Sequence, residues 1–207
     1  MVENKSITLK SLIAPTKYNI IDEIEKHKSS KIALKFISQN GDRKEISYEE
    51  FIARGNKLAN ALKKLGLKKG DRVFIMVPRM IETYIIYFAC WKAGLVIIPG
   101  SELLRAQDIL FRLNNGKVKA IISYFSFCEE IDKITNEATN LQYKITFSES
   151  VPGWKQMEEL AENESEIFKK VETSRDDYAL ITYTSGTTGQ PKGVVHVHGW
   201  AYAHLRI

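Results

Sequence analysis

Thr184-Ser185-Gly186-Thr187-Thr188-Gly189-Gln190-Pro191-Lys192-Gly193 packs four hydroxyl side chains, three glycines and one lysine into ten residues. Upstream, Ala179-Leu180-Ile181-Thr182-Tyr183 reads as a β-strand, apolar and partly β-branched. Downstream, Val194-Val195-His196-Val197 reads as a second strand. A polar, glycine-rich turn between two strands suits an anion. Glycines let backbone N–H groups come close, hydroxyls donate further hydrogen bonds, and the lysine adds positive charge. The anion this pattern points to is a polyphosphate. The stretch departs from the Walker-type P-loop, in which Ser or Thr follows Gly-Lys. Here Pro191 precedes Lys192 and Gly193 follows it, so no hydroxyl stands after the lysine to hold magnesium. The plainer alternative is a Ser/Thr/Gly hairpin whose side chains bond their own backbone.

Working back from this stretch, the pattern alternates strands and helices. Tyr18 to His27 has helical spacing, with Ile20, Ile21 and Ile24 apolar. Ile32–Ile37 and Arg43–Ser47 read as a hairpin around Asn40-Gly41. Ser47 with Glu50 fits a capping box, and the helix it opens carries Phe51, Leu58, Ala59, Leu62 and Leu65 on one face, with Gly66 as its stop. Asp71–Val77 is a strand, Met80–Ala93 a buried helix and Leu95–Ile98 a strand. Helix is expected over 102–114, strand over 118–123, helix over 125–139 and strand over 143–147. A weak helix over 154–162 and a charged, loop-like segment to Asp177 complete the chain. This order predicts an α/β fold of layered, largely parallel sheets flanked by helices. The short, continuously apolar strands agree, because parallel strands are buried on both faces.

Composition narrows the function classes. Thirty basic against 25 acidic residues give +5. The basic residues are scattered, as at Lys63-Lys64 and Lys68-Lys69, whereas a nucleic-acid surface would cluster them among aromatics; no nucleic-acid partner is expected. Cys90 and Cys128 lie far apart in apolar surroundings, which suits buried thiols in a reducing, cytoplasmic setting. Met1 to Pro15 has no apolar core segment of the kind a secretory signal needs. The most apolar run, Thr83 to Trp91, is too short to span a bilayer, so no integral membrane protein is expected.

The ten-residue stretch closely resembles the phosphate loop of the adenylate-forming superfamily, which includes acyl-CoA synthetases, luciferases and peptide-synthetase adenylation domains. Ile46-Ser47-Tyr48-Glu49-Glu50-Phe51 resembles that family's first core motif, and Trp91-Lys92-Ala93-Gly94-Leu95-Val96-Ile97-Ile98-Pro99 its second. The three matches occur in family order and cover the chain from about Tyr18 onward. Pro99-Gly100-Ser101-Glu102 and the Gly-Val-Val-His continuation look most like short- and medium-chain synthetases of the acetyl-CoA synthetase type. The resemblance implies that Thr184, Ser185, Gly186, Thr187, Thr188, Gly189 and Lys192 bind ATP, with Lys192 also catalytic against the β/γ-phosphates. His198 matches a histidine near the acyl pocket of many members. Trp200, with Tyr202, either lines that pocket or belongs to the core. His196 and His198 would share a strand face, but with no Cys, Asp or Glu nearby they are not read as a metal site.

The implied substrates and cofactors are a small carboxylic acid, ATP, Mg2+ and coenzyme A. The implied domain map is an extension over 1–17 and an incomplete adenylation domain over 18–207. The rest of that domain and a small C-terminal domain, which carry the family's adenine-, ribose- and catalytic-lysine segments, are absent. The chain is thus expected to be an N-terminal fragment of the large domain, inactive alone. Two alternatives stay open: a module that loads a carrier-protein thiol, and a non-catalytic nucleotide- or partner-binding remnant.

Overall fold

Two sheets account for every strand of a computed structural model that describes residues 8–38, 40–184 and 189–206. The first is the expected hairpin, β1 (Ile32–Ile37) antiparallel to β2 (Arg43–Ser47). The second has seven strands in the order β7-β6-β5-β3-β4-β8-β9. These are β3 (Arg72–Met76), β4 (Val96–Pro99), β5 (Val118–Tyr124), β6 (Tyr143–Phe147), β7 (Lys155–Gln156), β8 (Tyr178–Thr184) and β9 (Lys192–Val197). All neighbours from β7 to β8 run parallel; only β8 and β9 are antiparallel.

Both faces of the larger sheet are covered. Val73 and Ile75 of β3 pack with α2 (Tyr48–Lys64) and α3 (Ile81–Lys92), while Phe74 and Met76 pack with α4 (Ala106–Asn115) and α5 (Cys128–Asp132). Strand alternation sends successive side chains to opposite faces, so each position from Val73 to Met76 is apolar and buried. Shorter helices complete the fold: α1 (Ile21–Glu25), α6 (Met157–Glu162) and α7 (His198–His204).

Local signals explain where helices start and stop. The Ser47 hydroxyl accepts from the Glu50 N–H at 3.1 Å and opens α2. Glu49 and Glu50 in its first turn and Lys63 and Lys64 in its last complement the helix dipole. Gly66, at φ +98°, ends it in the left-handed conformation. The helix expected from Glu102 begins instead at Ala106. Its first amides are taken there by carboxylates, Arg105 N–H donating to Asp108 Oδ2 and Ala106 N–H to Glu130 Oε1. The helix expected over 125–139 is broken into 3-10 turns at Phe125–Phe127 and Thr135–Glu137 around α5. The Thr135 hydroxyl donates to the Asp132 carbonyl, and the Asn114 amide donates to the Glu137 carbonyl, which draws the chain out of the helical path.

The charged segment after α6 has no regular structure but is held throughout. Asn56, Lys57 and Asn60 of α2 donate to the carbonyls of Glu166, Glu162 and Ser165. The N-terminal segment is held too. Lys17 bridges Ser174, Tyr18 and Thr173 exchange hydrogen bonds, and Arg175 Nη1 donates to the Ala14 carbonyl.

Helices α2 and α3 cross closely at Gly55. A Cβ there would stand 2.3 Å from Cδ1 of the buried Phe88 ring. Helix propensity alone would favour Gly55→Ala by up to about 1 kcal/mol. We expect the clash to reverse that sign and destabilise the fold by about 1–3 kcal/mol, read as a lower urea midpoint at unchanged slope.

Candidate functional site

The hairpin β8–β9 is in register with the rest of the sheet at one pair, Ile97 opposite Leu180. Beyond Leu180 its ladder runs only within the hairpin: Ile181 opposite Val195, Tyr183 opposite Gly193, Thr184 opposite Lys192. Thr184 and Lys192 are therefore cross-strand neighbours at the rung nearest the turn, both exposed to solvent. Ser185, Gly186, Thr187 and Thr188 lie outside the described residues. Gly189 has φ +121°, a conformation that side chains oppose. At Gly193 a Cβ would stand 3.1 Å from Ile181 Cγ2 and 3.4 Å from the Tyr183 ring, so the strand lies close beneath both. A cleft of about 920 Å³ runs beside this stem, its lining including Tyr183, Pro191, Lys192, Gly116 and Lys117.

His198 opens α7 directly after β9 and is fully buried. Its Nδ1 accepts from the Ile20 N–H at 3.3 Å, which places the proton of the neutral ring on Nε2. That Nε2 is the one buried side-chain polar atom without a hydrogen-bond partner among the described residues. Burial lowers the imidazole pKa from 6.5 to about 4, although Asp177 and Asp22 pull the other way. Two residues on, Trp200 is 39% exposed, its indole between the His196 and His204 rings at 5.0 and 4.7 Å.

The structure thus brings Thr184, Gly189 and Lys192 together at one end of β9. His198 and Trp200 lie at the other, across roughly 20 Å of extended strand. Among the described residues no three His, Cys, Asp or Glu side chains group to hold a metal ion. No helix there is long and apolar enough to cross a membrane. Sequence reading missed the Ile20 amide as the partner of His198 and Asn115 as the partner of the Tyr183 hydroxyl. These pairs are 178 and 68 residues apart, and no local pattern announces them.

A family model described as AMP-binding enzyme matches residues 21–206. An uncharacterized acyl-CoA ligase of Bacillus subtilis (strain 168), YtcI, is 43% identical over 197 residues, covering 94% of this chain and 37% of the relative. The human mitochondrial acyl-coenzyme A synthetase ACSM3 is 35% identical over 173 residues, covering 83% and 30%. The chain spans about a third of the length of these relatives. Among solved structures, a Brucella canis acyl-CoA synthetase superposes with a TM-score of 0.81 at 22% identity, covering 92% of this chain and 36% of that one. The N-terminal domain of FACL13 from Mycobacterium tuberculosis gives 0.75 at 28%, covering 87% and 44%.

The burial of His198 sets a pH dependence. Between pH 6.5 and about 4 the unfolded chain takes up a proton that the folded ring refuses. Stability is therefore complete above pH 6.5 and falls as pH drops towards 4, by at most about 3 kcal/mol. His198→Asn keeps an acceptor for Ile20 and removes the titrating group. Its urea midpoint should fall less than the parent's between pH 6.5 and 4.

Proposed function

The chain belongs to the AMP-binding enzyme family, and we propose that it supplies the phosphate-loop part of an acyl-CoA synthetase acting on a short- or medium-chain carboxylic acid. One observation carries this reading. Thr184 and Lys192 stand side by side at the mouth of a hydroxyl- and glycine-rich turn, in a chain 43% identical to an acyl-CoA ligase. The family's acyl-CoA synthetases use ATP and coenzyme A. In the reaction proposed for the full-length protein, a carboxylate oxygen forms a bond to the α-phosphorus of ATP. The bond from that phosphorus to the bridging oxygen breaks, and pyrophosphate leaves. Coenzyme A thiolate then bonds to the acyl carbon and displaces AMP.

The difficulty in the first step is charge, because an anion must attack an anion. The turn residues Ser185–Thr188 and Gly189 would offer N–H and hydroxyl donors to the β- and γ-phosphates. The Lys192 ammonium, carried on the rung opposite Thr184, would neutralise charge that grows on the leaving pyrophosphate. In this scheme ATP enters as its magnesium complex.

We place the acid near α7, against the Trp200 ring that is partly open to solvent; His198, buried two residues earlier, fixes the start of the helix through Ile20. His198 is neutral at working pH and brings no charge to this end of β9. The Pro99–Glu102 segment and the Gly193-Val194-Val195-His196 continuation support a short- or medium-chain acid. Two buried, free cysteines suit the reducing cytoplasm. In this scheme residues 18–207 are the first part of a larger adenylation domain, and the chain alone does not turn over.

Two measurements test the proposal on the full-length protein. Labelled pyrophosphate should exchange into ATP only when a carboxylic acid is present; acid-independent phosphate release without exchange would overturn it. Lys192→Ala removes a charge-assisted hydrogen bond of about 1.5–3 kcal/mol. It should slow adenylation by roughly ten- to over a hundred-fold and leave thioester formation from preformed adenylate unchanged.

A further inference from the structure

The phosphate-loop hairpin overhangs its sheet. Its only rung to β4 is Ile97–Leu180, and β4 itself ends at Pro99, whose nitrogen carries no hydrogen to extend the ladder. From Ile181 to Thr184, and back from Lys192 to Val195, the ladder is internal to the hairpin. A two-stranded ribbon in water is only marginally stable, yet a loop that stabilises charge must be held to within a fraction of an ångström.

A support is present below the last rungs. The Tyr183 hydroxyl donates to Asn115 Oδ1 at 2.7 Å. Its ring meets Phe111 edge-on at 6.1 Å between centroids, and the Arg112 guanidinium lies 5.4 Å from the ring centre. Burial raises the phenol above its ordinary pKa, so the hydroxyl stays a donor. The corner at the end of α4 that receives it is itself tightly held. Arg72, at the start of the central strand β3, donates Nε to the Gly116 carbonyl, Nη2 to that of Lys117 and Nη1 to that of Gly70. A Cβ at Gly116 would stand 2.6 Å from Ile98 Cδ1, so the corner is pressed against β4. On its other side, the Tyr183 ring lies over Gly193, the residue next to Lys192.

We propose that Tyr183 is the positioning residue of the phosphate loop: through its bond to Asn115 it ties the overhanging hairpin to the corner of α4 that Arg72 holds, and so sets where Thr184 and Lys192 stand. This rests on the phosphate-loop reading of Lys192. It adds a residue outside the Thr184–Gly193 motif and touches no reacting atom. Removing the hydroxyl leaves the ring, the aromatic contact and the β-ladder in place, and frees the stem to move.

The test uses the full-length protein, with both half-reactions followed by rapid quench and the thermal midpoint of each variant measured. Tyr183→Phe should slow adenylation roughly three- to ten-fold, the loss expected for one neutral hydrogen bond. Thioester formation from preformed adenylate should stay within error of the parent. Asn115→Ala removes the acceptor from the other side and should give the same split; it carries the test alone if Tyr183→Phe fails to fold. The double variant should be no slower than the slower single one, because both remove one interaction. The proposal falls if each variant adenylates within two-fold of the parent, if the two effects multiply, or if both half-reactions drop together, which would mark a general loss of packing. Lys192→Ala separates the levels. If it slows adenylation and Tyr183→Phe does not, only the strut is wrong. If Lys192→Ala itself has no effect, the phosphate-loop reading fails and the strut with it.

Discussion

A parallel sheet exposes apolar side chains on both faces, and each face has to be covered. That requirement organises this protein. Strand β3 sits at the centre with β4 and β5 beside it, and its successive residues Val73, Phe74, Ile75 and Met76 are all buried, alternately towards α2–α3 and towards α4–α5. Each layer then depends on how closely its helices approach. On one face α2 and α3 meet at Gly55 and Phe88; on the other, the end of α4 is pressed onto Ile98 at Gly116. Close packing leaves little room for alternatives, so the layers locate one another to within the size of a methyl group.

Polar groups inside this frame are spent on joining parts distant in sequence. Lys92, near the end of α3, is buried, and its ammonium donates to Glu25 Oε1 at 2.6 Å and to Asn56 Oδ1 at 2.5 Å. The same Asn56 donates to the Glu166 carbonyl. One buried cation thus links α1, α2 and the irregular segment after α6, and satisfies groups that would otherwise be costly to bury. Trp91 adds a second tie, its indole N–H donating to the Ala179 carbonyl in β8 while its own carbonyl accepts from Asn19. The effect is to bind the N-terminal segment, the central helices and the hairpin into one body, although the hairpin itself shares a single rung with β4.

That single rung separates the scaffold from the site. The scaffold ends where β4 ends, and the last described rungs of the hairpin, Tyr183–Gly193 and Thr184–Lys192, lie beyond it. A two-stranded ribbon extending past its sheet needs support from outside its own ladder. The Tyr183 hydroxyl on Asn115 gives support near the last rungs, while His198 ties the start of α7, at the far end of β9, to Ile20. Both act through side-chain hydrogen bonds to elements already fixed by the core.

Patterns with a local cause were legible in the sequence. The strands at 32–37, 43–47 and 143–147 fall where alternation and turn residues put them, because strand and turn preferences act over neighbouring residues. The α/β class followed from their order, and the Thr184–Gly193 stretch carried the family resemblance because its pattern is written within ten residues. What the sequence could not determine was set by contacts between residues far apart. The helix expected over 125–139 broke because the Thr135 hydroxyl and the Asn114 amide offered the carbonyls of Asp132 and Glu137 other partners. The polar face of α2, which reads as a solvated surface, instead carries the segment 162–167, since an amide side chain satisfies a loop carbonyl as well as water does. His198 was read as lying near a pocket, and Trp200 as lining that pocket or belonging to the core. Tertiary structure gave them different surroundings, one sealed against Ile20 and the other open between two imidazoles, because burial depends on what packs against a residue and not on what precedes it.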